Sequence, residues 1–383
     1  MRLPRGFRTA GVAAGIKASG KPDLGLIVGD DDLSWAMTAT DNLVKAPCVT
    51  RNRAHHAADH AVRALVVNSG NANCANGQTG VRDNEDFAAL TAGALDLPRV
   101  QDVLTASTGV IGVPMPMDRV RAGVPTAVAA LQDADADDVA GAILTTDLVT
   151  KLASASLPGG ASVLGIAKGS GMIHPDMATL LAFVLTDAVV DQRRLRRTWR
   201  EVVANSFNQV SVDGDTSTND MAVVLASNRV EADADALAGA LADVSEALAR
   251  QVAADGEGAT TLLTVTVHGA RSLQEARRAA KAVAASNLVK AAVHGRDPNW
   301  GRVLSAIGQS GVVADFDNVV VRLQDIEVFR GSSRPFDEAA VSGAMHAAEV
   351  HVDIDLAAGG FEASAWGCDL SADYVRINAE YRT

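Results

Sequence analysis

Residues 168–183, KGSGMIHPDMATLLAF, lie near the middle of the 383-residue chain and join a glycine-rich loop to an apolar run. The loop carries Lys168, and the apolar run from Leu180 to Leu185 predicts a buried strand. Thr179 lies at the junction between loop and strand. A hydroxyl group is therefore expected where a polar loop enters the core.

Thr179 is a candidate nucleophile. A threonine hydroxyl needs a base nearby, and one such base is the α-amine of the same threonine after the chain has been cut before it. The small residue Ala178 leaves its carbonyl open to attack by the Thr179 hydroxyl. Such an attack would pass through an ester and leave two chains, the second beginning with Thr179. Spacing alone favours the simpler interpretation, a β-branched residue that opens a strand.

The composition predicts a folded chain with an aliphatic core. Hydrophobic residues make up 48% of the sequence and aromatic residues only 4%, so Ala, Val, Leu and Ile have to fill the interior. At 383 residues the chain is long enough for a large core and for two domains. No internal repeat or low-complexity linker divides it.

Charge and targeting signals predict a cytoplasmic protein that binds neither nucleic acid nor membrane. The formal net charge of −12 opposes phosphate binding. The basic start, residues 1–8, leads into no secretory signal, and no run reaches the roughly 18 apolar residues of a membrane span. Three scattered cysteines form neither a disulfide framework nor a metal pattern, which fits a reducing compartment: Cys48, Cys74 and Cys368.

Two stretches raise the possibility of a metal, and neither pattern is complete. His56 and His60 have the i, i+4 spacing of zinc ligands, but zinc needs three or four ligands, so a structural histidine cluster is favoured. Residues 211–220, SVDGDTSTND, resemble a calcium loop but lack its closing glutamate. We predict no metal and interpret residues 211–220 as a polar turn near the site.

Other loops carry groups suited to acyl chemistry. Thr108 and Gly109 follow a predicted strand, and such a pair supplies a hydroxyl and an amide that stabilise an oxyanion. The Lys168 ammonium could pair with a substrate carboxylate. Glu257 follows a helix predicted from residues at helical spacing, and a helix-end charge is the simpler interpretation: Leu237, Leu241, Val244 and Leu248.

The central stretch, written K-G-x-G-M-x-x-P-D-M-A-T-L-L, resembles the self-cleavage site of the ornithine acetyltransferases, also called glutamate N-acetyltransferases of arginine biosynthesis. The similarity extends over nearly the whole chain, including GNAN at residues 70–73 and HGRDPNWGR at residues 294–302. Members of that family cleave themselves between the alanine and the threonine of this motif. The resemblance therefore implies cleavage between Ala178 and Thr179.

The resemblance also assigns site residues. It makes Thr179 the nucleophile and gives Thr108 and Gly109 the oxyanion hole. Asn378, five residues before the terminal Thr383, matches a substrate-binding asparagine of the family. The implied substrate-binding residues are Thr145, Lys168, Thr179, Glu257, Asn378 and Thr383.

The implied fold is α/β, a layered sandwich of mixed β-sheets covered by helices, of the self-processing N-terminal-nucleophile type and related to the aminopeptidase DmpA-like fold. An α chain, residues 1–178, and a β chain, residues 179–383, would interleave in one body. The resemblance suggests a heterotetramer of two α and two β chains. Alternating strand and helix signals agree with an α/β class but leave its topology open.

The implied activity is ping-pong acetyl transfer from N2-acetyl-L-ornithine to L-glutamate through an acetyl-Thr179 intermediate, without a metal or organic cofactor. Use of acetyl-CoA as a second donor stays open, as does a role in secondary metabolism. One rival is an N-terminal-nucleophile amidohydrolase or aminopeptidase that uses water. Another is an anion-binding protein that uses residues 168–171, although this loop fits no phosphate-binding motif and precedes a strand.

Overall fold

A computed structural model describes residues 1–174 and 180–380. Their strands are β1 (Phe7–Val12), β2 (Leu24–Ala39), β3 (Val62–Asn71), β4 (Val103–Val110), β5 (Lys151–Ser156), β6 (Ser162–Lys168), β7 (Leu181–Ala188), β8 (Val210–Ser211), β9 (Met221–Val230), β10 (Leu262–Ala270), β11 (Val320–Leu323), β12 (Ile326–Arg330), β13 (Ser332–Ser333), β14 (Glu349–Asp355) and β15 (Phe361–Cys368). Their helices are α1 (Pro47–Ala57), α2 (Gly77–Ala94), α3 (Met117–Ala129), α4 (Asp137–Ala142), α5 (Gln192–Asn205), α6 (Ala234–Ala254), α7 (Leu273–Ala284), α8 (Asn287–His294), α9 (Trp300–Gln309), α10 (Glu338–Ala344) and α11 (Ala372–Glu380).

The first sheet combines strands from both sides of residue 179. Its order is β4-β3-β2-β9-β7-β6-β5, and β1 pairs with β2. β7 pairs with β9 in parallel orientation. On their other sides, β7 pairs antiparallel with β6 and β9 pairs antiparallel with β2. Two strands that follow residue 179 therefore lie between strands that precede it.

The register of the central strands brings three segments to one end of the sheet. Lys168, the last residue of β6, is opposite Leu181, the first residue of β7. Leu181 is in turn opposite Met221, the first residue of β9. The chain that leaves β6, Leu180 before β7 and the loop before β9 therefore meet at this end.

β7 is covered on both faces, which explains its unbroken apolar sequence. Because side chains alternate along a strand, Ala182 and Val184 pack into the cluster that contains Trp199 of α5. Phe183 packs into the opposite cluster, with Val49 of α1. The sequence prediction of a buried strand from Leu180 to Leu185 is confirmed, with the bounds Leu181–Ala188.

The helices over β7 bury the residues that helical periodicity selects. α5 buries Leu195, Trp199 and Val203, which recur four residues apart, and the Trp199 indole N–H donates to the Ala222 carbonyl oxygen over 3.1 Å. The Asp191 side chain caps the start of this helix by accepting from the Arg194 backbone N–H. α5 is thereby anchored to β9.

The second sheet has the order β13-β12-β11-β14-β10-β15-β8. Helices α7, α8 and α9 cover one face through Val283, Val289 and Ile307. Trp366 of β15 and Val210 of β8 instead join the cluster that contains Trp199, so the two sheets share a core. The predicted α/β class, mixed sheets covered by helices, is confirmed.

The histidine cluster packs as part of the fold. The His56 ring lies edge-on to Trp35 with ring centroids 5.1 Å apart, and the rings of His55 and His60 are 5.3 Å apart. Burial lowers the pKa of His55 and of His56 to about 4. These contacts are typical of a structural histidine cluster.

Across residues 1–174 and 180–380, helix length and hydropathy give no candidate for a membrane span.

Removal of the Phe183 ring should test the importance of the central strand. Phe183 is fully buried, so Phe183→Ala is expected to lower the free energy of unfolding by about 3–5 kcal/mol. Phe361 is 52% exposed, so Phe361→Ala should cost less than about 1 kcal/mol. Chemical denaturation of both variants measures the difference, and equal losses would contradict a core centred on β7.

Candidate active site

The cleft at the shared end of β6, β7 and β9 contains the predicted site residues that the structure describes. The cleft opens to solvent. The predicted residues that line it are Thr108, Gly109, Thr145, Lys168, Glu257 and Asn378. Ala178, Thr179 and Thr383 lie outside the described residues. Segments distant in sequence thus converge on one cleft.

Thr108 and Gly109 lie near the end of β4, beside the end of the parallel strand β3. Gly109 has φ +130°, a conformation that favours glycine. A Cβ at Gly109 would lie 2.4 Å from the carbonyl carbon of Gly70, so a larger residue could not occupy this position without moving β3. The glycine thus allows β4 to approach β3 closely beside the cleft.

The polar turn at residues 211–220 contributes to the cleft wall, as the sequence predicted. Ser217, Thr218 and Asn219 line the cleft. The Asn219 side-chain N–H₂ donates to the carbonyl oxygens of Ala72 and Ser107, over 2.7 and 2.9 Å. Asn219 therefore ties this turn to β4 and to the residue that follows β3, next to the Thr108–Gly109 pair.

Lys168 is 4% exposed and donates from Nζ to Thr108 Oγ1 over 3.2 Å. Burial lowers the pKa of Lys168 below its usual range, an effect opposed mainly by Asp147 and to a lesser degree by other nearby carboxylates. Because the ammonium donates to the Thr108 oxygen, the Thr108 hydroxyl hydrogen can point elsewhere. Thr108 can therefore donate a hydrogen bond into the cleft.

A buried ionic cluster formed by Asp147, Lys151 and Asp255 supports the cleft. Lys151 Nζ donates to Asp147 Oδ1 over 2.8 Å and to Asp255 Oδ2 over 2.5 Å, and the Lys151 side chain is fully buried. Burial would raise the pKa of Asp147, but the ammonium groups of Lys168 and Lys151 hold it well below its usual range. The cluster joins residues that are 104 positions apart.

The same cluster positions two predicted substrate-binding segments. Asp147 accepts the backbone N–H of Thr145 through Oδ2, over 3.0 Å, and that of Gly169 through Oδ1, over 2.7 Å. The sequence assigned Thr145 to the substrate and gave no role to Asp147 or Lys151. Their i, i+4 spacing was a visible signal, but Asp255 could be found only from the fold.

Glu257 presents a carboxylate that lies between the loop after β6 and α11. Its backbone N–H donates to the Ser170 carbonyl oxygen over 3.0 Å, and Asn378 Nδ2 of α11 donates to Glu257 Oε2 over 2.9 Å. A Cβ at Gly171 would lie 2.4–2.5 Å from the Glu257 carboxyl atoms. Gly171 therefore leaves the space that the carboxylate occupies.

The cleft combines a buried ammonium, a carboxylate, a hydroxyl and a tight glycine turn. Lys168 can attract an anion, and Glu257 can attract a cation. Thr108 and Gly109 carry donors suited to a developing oxyanion. This set of groups suits a small zwitterionic substrate undergoing acyl chemistry.

Loss of the Lys151 cation should destabilise the fold in a pH-dependent way. Lys151→Met leaves Asp147 and Asp255 without their shared cation and is expected to cost about 3–5 kcal/mol at pH 7. The pKa of Asp147 should rise in the variant, so protonation should shrink this deficit as the pH falls toward 5. Thermal unfolding at pH 7 and at pH 5 measures the loss of stability, and Lys21→Met, at an exposed lysine, is the control. A deficit that is constant with pH would contradict this electrostatic role.

Comparison with known proteins places the chain in a family. The model of the ArgJ family matches residues 8–383. The arginine biosynthesis bifunctional protein ArgJ of Deinococcus radiodurans is 52% identical over 382 residues, covering 100% of this chain and 98% of the relative. The protein of the same name from Thermus thermophilus is 50% identical over 384 residues, covering 100% of both.

One solved structure is similar over half of the chain. It is the crystal structure of the arginine biosynthesis bifunctional protein argJ from Bacillus halodurans, at 40% identity and a TM-score of 0.50. The match covers 52% of this chain and 98% of the solved chain. Together with the family model and the two relatives, this similarity shows that the chain belongs to the ArgJ family.

Proposed function

We propose that this protein transfers an acetyl group from N2-acetyl-L-ornithine to L-glutamate, through an acetyl-Thr179 intermediate, after cleaving itself between Ala178 and Thr179. The observation that carries the proposal is the convergence of Thr108, Gly109, Lys168 and Glu257 on one cleft beside the start of β7. Membership of the ArgJ family, whose relatives are named arginine biosynthesis bifunctional proteins, supports the same pathway.

Self-cleavage would begin with attack of the Thr179 hydroxyl on the Ala178 carbonyl carbon. The peptide C–N bond breaks, an ester forms, and water then hydrolyses the ester to leave a carboxylate on Ala178 and a free amine on Thr179. The α chain would be residues 1–178 and the β chain residues 179–383. The solved Bacillus halodurans chain matches 52% of this chain over 98% of its own length, which is about the size expected for one of the two fragments.

The two chains would remain one body after cleavage. β7 and β9 of the β chain pair with β6 and β2 of the α chain, so the interface would be a continuous sheet rather than a surface contact. The ionic cluster adds to it, because Lys151 belongs to the α chain and Asp255 to the β chain. We further propose that two such αβ pairs form a heterotetramer, as the resemblance suggests.

Acetyl transfer would use the new α-amine of Thr179 as the base for the Thr179 hydroxyl. An unperturbed α-amine has a pKa of about 8, so roughly a tenth of it is neutral and able to accept a proton at pH 7. The hydroxyl oxygen attacks the acetyl carbon, and Thr108 and Gly109 would stabilise the oxyanion. Ornithine then leaves, and the glutamate amine takes the acetyl group from Thr179.

Substrate recognition would divide between the charged groups of the cleft. Lys168 is suited to a substrate carboxylate, and Glu257 to the side-chain ammonium of the ornithine part. Thr145, Asn378, Thr383 and Thr179 complete the proposed substrate-binding set. The word bifunctional in the relatives' names supports acetyl-CoA as a second donor. Hydrolysis of the acyl-enzyme by water is the alternative outcome, which an assay with and without glutamate would distinguish.

The intact mass of the purified protein under denaturing conditions tests the proposal directly. We expect two fragments that meet at Ala178–Thr179, and a single full-length chain for Thr179→Ala. Thr126→Ala, an exposed threonine on α3, is the matched control and should be cleaved as the wild type is. A wild-type chain that stays whole over days would leave Thr179 without its amine and rule out this mechanism.

A methyl group at Gly171 should weaken substrate binding. Because a Cβ there would collide with the Glu257 carboxylate, Gly171→Ala is expected to leave self-cleavage intact and to raise KM for N-acetylornithine about tenfold or more, with a smaller change in kcat. Gly343→Ala is the control, since a Cβ at Gly343 meets nothing within 4 Å. Steady-state kinetics measures both, and an unchanged KM would remove Glu257 from the proposed ornithine pocket.

A further inference from the structure

Asp220 is a buried carboxylate to which the mechanism above gives no role. It lies immediately before β9 and is 3% exposed. The Ser217 side chain and the backbone N–H of Leu180 lie close enough to the carboxylate to favour its ionised form. Its Oδ2 atom has no hydrogen-bond partner among residues 1–174 and 180–380. An ionised carboxylate in such a place is costly unless a cation approaches it.

The pairing of β7 with β9 sets where this carboxylate lies. Met221 is opposite Leu181, and the Met221 N–H donates to the Leu180 carbonyl oxygen over 3.1 Å. Asp220 is therefore beside Leu180, whose nitrogen is bonded to the carbonyl carbon of Thr179. Asp220 is thus next to the residue that follows the proposed nucleophile in sequence.

The charges around Asp220 leave room for another cation. Lys168 is the charged side chain that acts on it most directly, and its ammonium donates to Thr108 rather than to Asp220. Burial raises the pKa of Asp220 well above its usual range, and Lys168 only partly opposes this. A second positive charge next to Oδ2 would stabilise the ionised carboxylate. Cleavage before Thr179 would create such a charge, because it converts an amide nitrogen into an amine that can be protonated.

We propose that Asp220 is a positioning residue that holds the α-amine of Thr179 and stabilises it when it carries a proton. The inference rests on the proposed function. During attack the Thr179 Oγ–acetyl bond forms and the hydroxyl proton passes to the α-amine, which becomes an ammonium paired with Asp220. As the acetyl–nitrogen bond of N-acetylornithine breaks, that proton passes to the leaving amine. Asp220 itself stays ionised, as the aspartate of a serine protease triad does.

Asp220→Asn tests the charge while keeping the shape, because an amide oxygen can still accept from the Leu180 N–H. We expect the variant to cleave itself and to lose at least about 100-fold in kcat/KM for acetyl transfer. A nearby carboxylate raises the pKa of an ammonium, so its removal lowers the pKa of the Thr179 amine. Since the amine must be neutral to act as a base, the rising limb of kcat/KM against pH should move to lower pH.

Asp187→Asn is the matched control, since Asp187 is equally buried but accepts hydrogen bonds from Ser162 and Arg5 at the other end of β7. It should leave the position of the rising limb unchanged. An Asp220→Asn protein with the wild-type limb and rate would overturn the proposal. So would a variant that folds, as judged by thermal unfolding, but stays uncleaved, because that result would place Asp220 in cleavage and not in transfer.

Asp220→Glu covers the case in which the asparagine variant does not fold. It retains the charge and should keep measurable transfer with a rising limb no lower in pH than the wild type, whereas a limb moved to lower pH would overturn the assignment. The behaviour of the wild-type protein shows whether a failure concerns Asp220 or the proposed function. If the wild type is cleaved and transfers acetyl groups, these outcomes concern Asp220 alone; if it does not, the proposed function has failed first.

Discussion

The parallel pairing of β7 with β9 is the constraint on which the rest of the site depends. It places Leu181 opposite Met221, and the antiparallel pairing of β6 with β7 places Lys168 opposite Leu181. Three chain segments that enter or leave these strands therefore meet at one end of the sheet. Because these strands are buried on both faces, their register cannot slip without turning apolar side chains out of the core. The positions of the cleft residues are thus set by core packing.

Electrostatics in the cleft follows from this geometry. Lys168 is buried where Asp147, Asp220 and Glu257 all act on it, and Lys151 is buried between two carboxylates. Opposite charges that are removed from water together stabilise one another only when they are close and well oriented. Asp147 meets that condition through two ammonium groups and two backbone N–H groups, whereas Asp220 keeps an oxygen without a partner among the described residues. The contacts of Asp147 are thus structural, and Asp220 is the carboxylate that we propose acts on the Thr179 amine.

The glycines of the cleft show how backbone space controls function. Gly109 lets β4 approach β3 within a distance that any side chain would prevent, and Gly171 leaves room for the Glu257 carboxylate. In sequence Gly109 indicated an oxyanion hole and Gly171 a glycine-rich loop, but a single chain does not reveal what lies opposite a missing Cβ. The structure supplies those neighbours, namely the backbone of Gly70 in one case and a charged side chain in the other.

The sequence by itself determined the α/β class, the buried strand after residue 180, the helix before Glu257 and, through its resemblance to a known family, six of the residues that line the cleft. These features depend on local periodicity or on long motifs, which a linear chain displays directly. Only the tertiary structure decided that strands from both sides of residue 179 share one sheet, that Asp255 completes a charge cluster with Lys151, and that Asp220 lies beside Leu180. The physical reason is that strand order and the pairing of distant charges depend on packing between segments, which neither spacing nor composition records.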